Sequence, residues 1–200
     1  WERRTDTRRA CGPIRGRAAR THAGTAHRGA FGLRVLRGPE RVDDMTSFAE
    51  MGLSEAICAR ATRGGITEPT PIQAGAIPAA LEGRDVMGLA KTGTGKTLAF
   101  GLPLIQRLSA DPTRPTPKSA RALILAPTRE LVRQIESSLK VFTDGTKIRV
   151  TSIVGGVCMS PQERAMSQGV DILVATPGRL MDLISRRSVN LNGCGFLVLD

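Results

Sequence analysis

The strongest constraint on this chain is the eight-residue loop Ala90-Lys91-Thr92-Gly93-Thr94-Gly95-Lys96-Thr97, set between a short apolar run at 85–89 and an apolar, helix-patterned stretch at 96–108. Its glycines allow the backbone to turn N–H groups inward around an anion, and the helix that follows adds partial positive charge. In that setting Lys96 is placed to reach β- and γ-phosphates and the Thr97 hydroxyl to hold Mg²⁺. Ala90 stands where the general pattern has Gly. A loop of this kind needs a buried strand before it and a helix after it, which commits the chain to an α/β architecture.

The rest of the chain supplies the matching elements. Apolar runs at 85–89, 122–126, 148–154, 171–175 and 196–200 do not alternate, as expected of strands buried on both faces of a parallel sheet. Amphipathic stretches at 54–63, 71–81, 96–108, 129–142, 161–167 and 178–186 lie between them. Pro71 and Pro161 suit a first helical turn, and Ser54 and Thr128 are candidate N-caps. The alternation predicts a doubly wound α/β sheet with ligands beyond the carboxyl ends of its strands. The Pro- and Thr-rich segment 111–119 reads as an exposed loop.

Further motifs sit on the same predicted rim. Gly65-Ile66-Thr67-Glu68-Pro69-Thr70-Pro71-Ile72-Gln73, with Phe48 upstream, resembles the Q motif of the DEAD-box RNA helicases. The loop from Ala90 to Thr97 is similar to that family's motif I, in which Ala in first place is usual. Pro127-Thr128-Arg129 within Ala126–Leu131 resembles motif Ia, Gly155-Gly156 the GG doublet, Thr176-Pro177-Gly178-Arg179 motif Ib, and Val198-Leu199-Asp200 the opening of motif II. The resemblance covers 46–200, and the run Gly155-Gly156-Val157 followed by Ser160-Pro161-Gln162 most resembles the bacterial RhlE-like group. It implies a RecA-like P-loop NTPase domain with a parallel sheet, ATP and Mg²⁺ as ligands, RNA as partner and a cytoplasmic setting.

The residues themselves agree with parts of that picture. The Gln73 amide has an acceptor and a donor group suited to adenine, which favours ATP over GTP. The resemblance implies that Phe48 packs on the base and that Ala90, Thr92, Gly93, Thr94, Gly95, Lys96 and Thr97 cradle the phosphates. Lys96, Thr97 and Asp200 are the expected catalytic set, with Thr97 and Asp200 on the metal. Pro127, Thr128, Arg129, Gly155, Gly156, Thr176, Pro177, Gly178 and Arg179 are the expected RNA contacts. They offer N–H groups, hydroxyls and guanidinium but no aromatic platform, so they suit sugar-phosphate rather than bases. Lys91 replaces the family's Gln and Ile66 its aromatic.

Charge divides the chain. The first 44 residues hold eleven Arg against five acids, more than half of the +11 net charge. Three readings of 1–44 stand side by side: an RNA-gripping arm, an Arg-rich transit peptide, or in-frame upstream sequence ahead of a start at Met45. The expected division is a structureless segment at 1–44, a Q-motif region at 45–76 and a partial ATP-binding domain at 77–200. No apolar run reaches the roughly 18 residues of a membrane span. The four cysteines form no C-x-x-C pair, so no zinc or redox site is expected.

The family pattern continues past Asp200 with a Glu that positions the attacking water, a Ser-Ala-Thr strand and a second RecA-like domain carrying an arginine finger. The expectation is therefore the N-terminal part of an ATP-dependent RNA helicase, its sheet incomplete at the C-terminus, with the second domain needed in cis. Alone it is expected to bind ATP weakly and not to unwind RNA. The competing reading is a P-loop remnant that holds nucleotide without helicase work.

Overall fold

The computed structural model describes the backbone of residues 34–37 and all of residues 47–200. The elements in chain order are β1 (Arg34–Arg37), α1 (Glu55–Arg63), α2 (Pro71–Leu81), β2 (Val86–Leu89), α3 (Lys96–Ala110), β3 (Ala120–Leu125), α4 (Arg129–Thr143), β4 (Val150–Ile153), α5 (Ser160–Met166), β5 (Val170–Ala175), α6 (Pro177–Ser185) and β6 (Phe196–Leu199). Every helix and strand expected beyond Met45 is present, with ends shifted by a few residues at most. Within 1–44, Arg34–Arg37 pairs in parallel with Val86–Leu89. The remaining questions about 1–44 lie outside the described residues.

β4, β5, β3 and β6 form a four-stranded, fully parallel sheet in that order. The central strands explain why it is wound on both faces. Ile172 and Val174 of β5 join Ala122 and Ile124 of β3 in a core covered by α1 to α4. Leu173 and Ala175 point the other way, into a second core with Met166 of α5 and Leu180 and Leu183 of α6. Successive strand residues face opposite sides, so a strand apolar at every position satisfies two layers at once.

β2 departs from that pattern. It pairs with β1 and makes no ladder with β6. Met87, Leu89, Leu197 and Leu199 are 47%, 60%, 63% and 73% exposed, so β2 and β6 are not the doubly buried strands that their sequences suggest. The expected incompleteness of the sheet takes this form: an interruption between the strand that leads to the phosphate loop and the strand that ends at Asp200.

At the amino ends of the strands an ion pair sets the register. The Asp171 carboxylate accepts from Arg121 Nη1 at 3.0 Å and from the Arg149 backbone N–H at 2.8 Å, joining β3, β5 and the approach to β4. Asp171 is 4% exposed, and its loss leaves Arg121 with the exposed Asp111 carboxylate alone, at 2.9 Å, and the Arg149 N–H without its acceptor. Asp171→Ala is expected to lower stability by about 3 kcal/mol, read as a fall in urea midpoint at constant slope. Asp171→Asn, which retains an acceptor for the Arg149 amide, is expected to lose less.

Candidate active site

Because the strands run parallel, their carboxyl ends open on one rim, and hydrogen bonds carry the register to its edge. Ala126 N donates to Ala175 O at 3.1 Å, Thr176 N to Ile153 O at 3.0 Å and Asp200 N to Leu125 O at 3.0 Å. The loops after β3, β4 and β5 therefore leave from fixed points, and Asp200 is held at the tip of β6.

The phosphate loop bends where its glycines stand. Gly93 and Gly95 have φ of +80° and +87°, in the left-handed region, and Gly95 caps α3. Thr94 Oγ1 donates to Lys91 O at 2.7 Å and closes the turn. Ala90 and Thr92 lie on the same loop, Thr92 exposed. Lys96 Nζ stands 4.0 Å from Asp200 Oδ1, which brings the ammonium expected at the phosphates beside the carboxylate expected at the metal. The Thr97 hydroxyl has no protein partner among the described residues. One hydroxyl and one carboxylate, with no cluster of three or more His, Cys, Asp or Glu among the described residues, make a sparse oxygen donor set. That set fits Mg²⁺, which keeps several waters and shares the substrate's phosphates.

The two residues expected at the base are both buried. Gln73 is 2% exposed, and both ends of its amide are engaged inside the protein. Oε1 accepts from Thr70 N at 3.0 Å, and Nε2 donates to Gly95 O at 3.1 Å. The amide thus ties the start of α2 to the phosphate loop. A Cβ at Gly95 would fall on Gln73 Nε2 and close to Thr70 Oγ1, so the contact requires glycine there. Phe48 is 4% exposed and packs in the main core, with no ring face turned outward.

The second set of residues lies on the same rim. Pro127, Thr128 and Arg129 are exposed at the start of α4, where Thr128 Oγ1 accepts from Leu131 N at 3.3 Å as the expected N-cap. The Arg129 guanidinium lies directly against Gly156, whose φ of +73° and missing side chain make room for it. Thr176 precedes α6, and Pro177 and Gly178 open it, both exposed. The Arg179 side chain is 9% exposed, and both Nη atoms donate to Val157 O at 3.2 Å, on the loop after β4. Gln162 is an addition that the sequence marked only as part of a group signature. It is buried and bonds Val154 N, Val154 O and Cys158 O. A long amide one position after a proline in the first turn of a short helix is the signal that pointed to it.

Residues 70–200 match the family model described as DEAD/DEAH box helicase. The chain is 41% identical over 166 residues to DEAD-box ATP-dependent RNA helicase 20 of Arabidopsis thaliana, covering 83% of this chain and 33% of that protein. It is 45% identical over the same length to the protein of that name in Oryza sativa subsp. japonica, covering 34% of it. The chain thus spans about a third of the length of these curated relatives. Among solved structures it resembles the RNA helicase Prp28 of Chaetomium thermophilum bound to ADP, with a TM-score of 0.71 and 44% identity over 82% of this chain and 39% of that one.

Removal of the Gln73 amide leaves Thr70 N without its acceptor and takes one of three donors from Gly95 O, which still accepts from Leu98 N and Ala99 N. Gln73→Ala is expected to destabilise the fold by about 2 kcal/mol in urea titration. Gln73→Glu would place a carboxylate at a 2%-exposed position against Gly95 O, so its cost is expected to be at least as large.

Proposed function

The chain belongs to the DEAD/DEAH box helicase family, and on that footing we propose that it is the N-terminal ATP-binding part of an enzyme that couples ATP binding and hydrolysis to local RNA unwinding or RNP remodelling. The observation that carries this reading is the meeting of Lys96 and Asp200 at 4.0 Å across the rim, beside loops rich in free N–H groups and exposed Thr and Arg. An NTP site alone serves many tasks. An NTP site sharing one rim with a second, backbone-directed anion surface serves nucleic-acid work coupled to nucleotide.

Within that reading the roles divide by chemistry. The backbone of Gly93 to Lys96 and the Lys96 ammonium hold phosphate oxygens, and Thr97 and Asp200 hold Mg²⁺. Bound Mg²⁺ supplies charge neutralisation at the β- and γ-phosphates. Gln73 belongs to a Q motif that acts through Gly95 on the loop, as its two hydrogen bonds support. Pro127, Thr128, Arg129, Gly155, Gly156, Thr176, Pro177 and Gly178 face the RNA backbone. We assign 45–76 to the Q-motif region and 77–200 to the first RecA-like domain, with a second such domain working on the same rim in cis. The plant relatives span far more than this chain, which supports that assignment. The run from Gly155 to Gln162 supports membership of the RhlE-like group. Cys58, Cys158 and Cys194 are free thiols, the state a reducing compartment maintains, which supports a cytoplasmic setting.

The test uses the protein that carries this chain together with its downstream sequence. It is expected to separate a short RNA duplex with ATP and Mg²⁺, and Lys96→Ala is expected to lower RNA-stimulated ATP hydrolysis by about a hundredfold or more. Duplex separation that persists undiminished in Lys96→Ala would sink the proposal.

A further inference from the structure

Among the described residues, Lys118 and Arg187 are the two that take a left-handed φ without being glycine, at +63° and +56°. They arrive there by separate turns. Arg187 N donates to Ile184 O at 2.9 Å and Ser188 N to Leu183 O at 2.9 Å, the pair of bonds that ends a helix on a left-handed residue, where glycine fits at least cost. Ser119 N donates to Thr116 O at 3.0 Å across Pro117 and Lys118. A turn with proline second and a left-handed residue third likewise favours glycine at the third place. A long cation stands at both positions, and the two meet: Lys118 Nζ donates to Arg187 O at 3.2 Å.

The two cations border a hollow of about 520 Å³ at the amino end of β3. The rim that holds Asp200 lies at the other end of that strand, roughly 20 Å away. Ile184, Val189 and Leu191 give the hollow an apolar lining, Val189 buried and the other two half-buried against the core under α6. Neither an acidic nor an aromatic side chain lines it. The acids nearest in sequence are engaged elsewhere, Glu163 Oε1 accepting from Ser188 Oγ at 2.9 Å and Asp182 lying toward Arg179. The exposed Arg187 guanidinium has no hydrogen bond or ion pair among the described residues. After its bond to Arg187 O, the Lys118 ammonium keeps two donors.

We propose that this hollow is a docking groove for a segment of another protein that carries carboxylates beside an aliphatic side chain. The carboxylates answer Lys118 and Arg187, Arg187 through the paired bonds that a guanidinium offers, and the aliphatic group covers Ile184, Val189 and Leu191. An RNA strand would use the cations alone, since the hollow offers its bases no ring to stack on. Local strain held at two adjoining turns is accounted for when the side chains it carries are used. A segment docked here leaves the nucleotide rim open.

The full chain is titrated with a fluorescent peptide of glutamates around two leucines, followed by anisotropy and by methyl NMR. The peptide is expected to shift the methyl signals of Ile184, Val189 and Leu191 and to leave those of Val132 and Ile135, under α4, in place. Arg187→Gly is expected to bind about tenfold more weakly while its urea midpoint stays level or rises, since glycine relieves the left-handed turn. Arg187→Lys, which keeps the charge, is expected to bind more tightly than Arg187→Gly. An all-glutamate peptide of equal length is expected to bind about tenfold more weakly than the leucine-bearing one. Unmoved methyl signals at millimolar peptide, undiminished binding by Arg187→Gly, or equal binding of the all-glutamate peptide would overturn the groove. Stronger shifts of the same methyls by an oligouridylate of equal length would overturn it in favour of nucleic acid.

Discussion

The parallel register of β4, β5, β3 and β6 is the constraint from which the site follows. Antiparallel strands would send their loops to alternate ends, whereas this order sends the loops after β3, β4 and β5 to one rim with Asp200. The register is anchored at the far end by Asp171 between Arg121 and the Arg149 amide, and at the rim by the last backbone bonds to Ala175, Ile153 and Leu125. Helix starts then place unpaired N–H groups at those points without further design, since every α-helix leaves its first donors free. Function-bearing side chains are few because the backbone supplies much of the chemistry.

Polar side chains between the loops serve as braces. Gln73 joins α2 to the phosphate loop, Gln162 folds back on the β4 loop, and Arg179 reaches the same loop from α6. Each uses a long side chain with several hydrogen-bonding atoms to join elements that are distant in sequence. Buried and satisfied, such groups fix geometry more firmly than apolar contacts of equal area, because a displaced donor loses its partner outright.

That pattern also explains what the sequence made legible. The strands were readable because apolar runs between Gly, Pro and charged residues have few other uses, and the helices because Pro71, Thr128 and Pro177 mark their starts. The phosphate loop was legible because its glycines, Lys96 and Thr97 are contiguous. Partner choice was not. Within the protein, Gln73 meets Gly95 across 22 residues and Arg179 meets Val157 across 22. Arg121 finds Asp171 across 50. No local period encodes these meetings. β1 escaped notice because Arg34–Arg37 lies in Arg-rich text without alternation, and its strand state depends on β2 as template.

With no ladder between β2 and β6, the phosphate loop and Asp200 meet through side chains. Each half is tied rigidly within itself, the phosphate loop to α2 and α3 and Asp200 to β3. Beyond apolar packing, polar links from one half to the other include the Lys96–Asp200 pair at 4.0 Å, the Arg107 guanidinium 4.7 Å over the Phe196 ring and the Arg121–Asp111 pair at 2.9 Å. Side-chain links of this kind yield far more readily than a run of backbone hydrogen bonds. A polyphosphate entering there meets an ammonium and a carboxylate carried by separate elements, one at the start of α3 and one at the tip of β6.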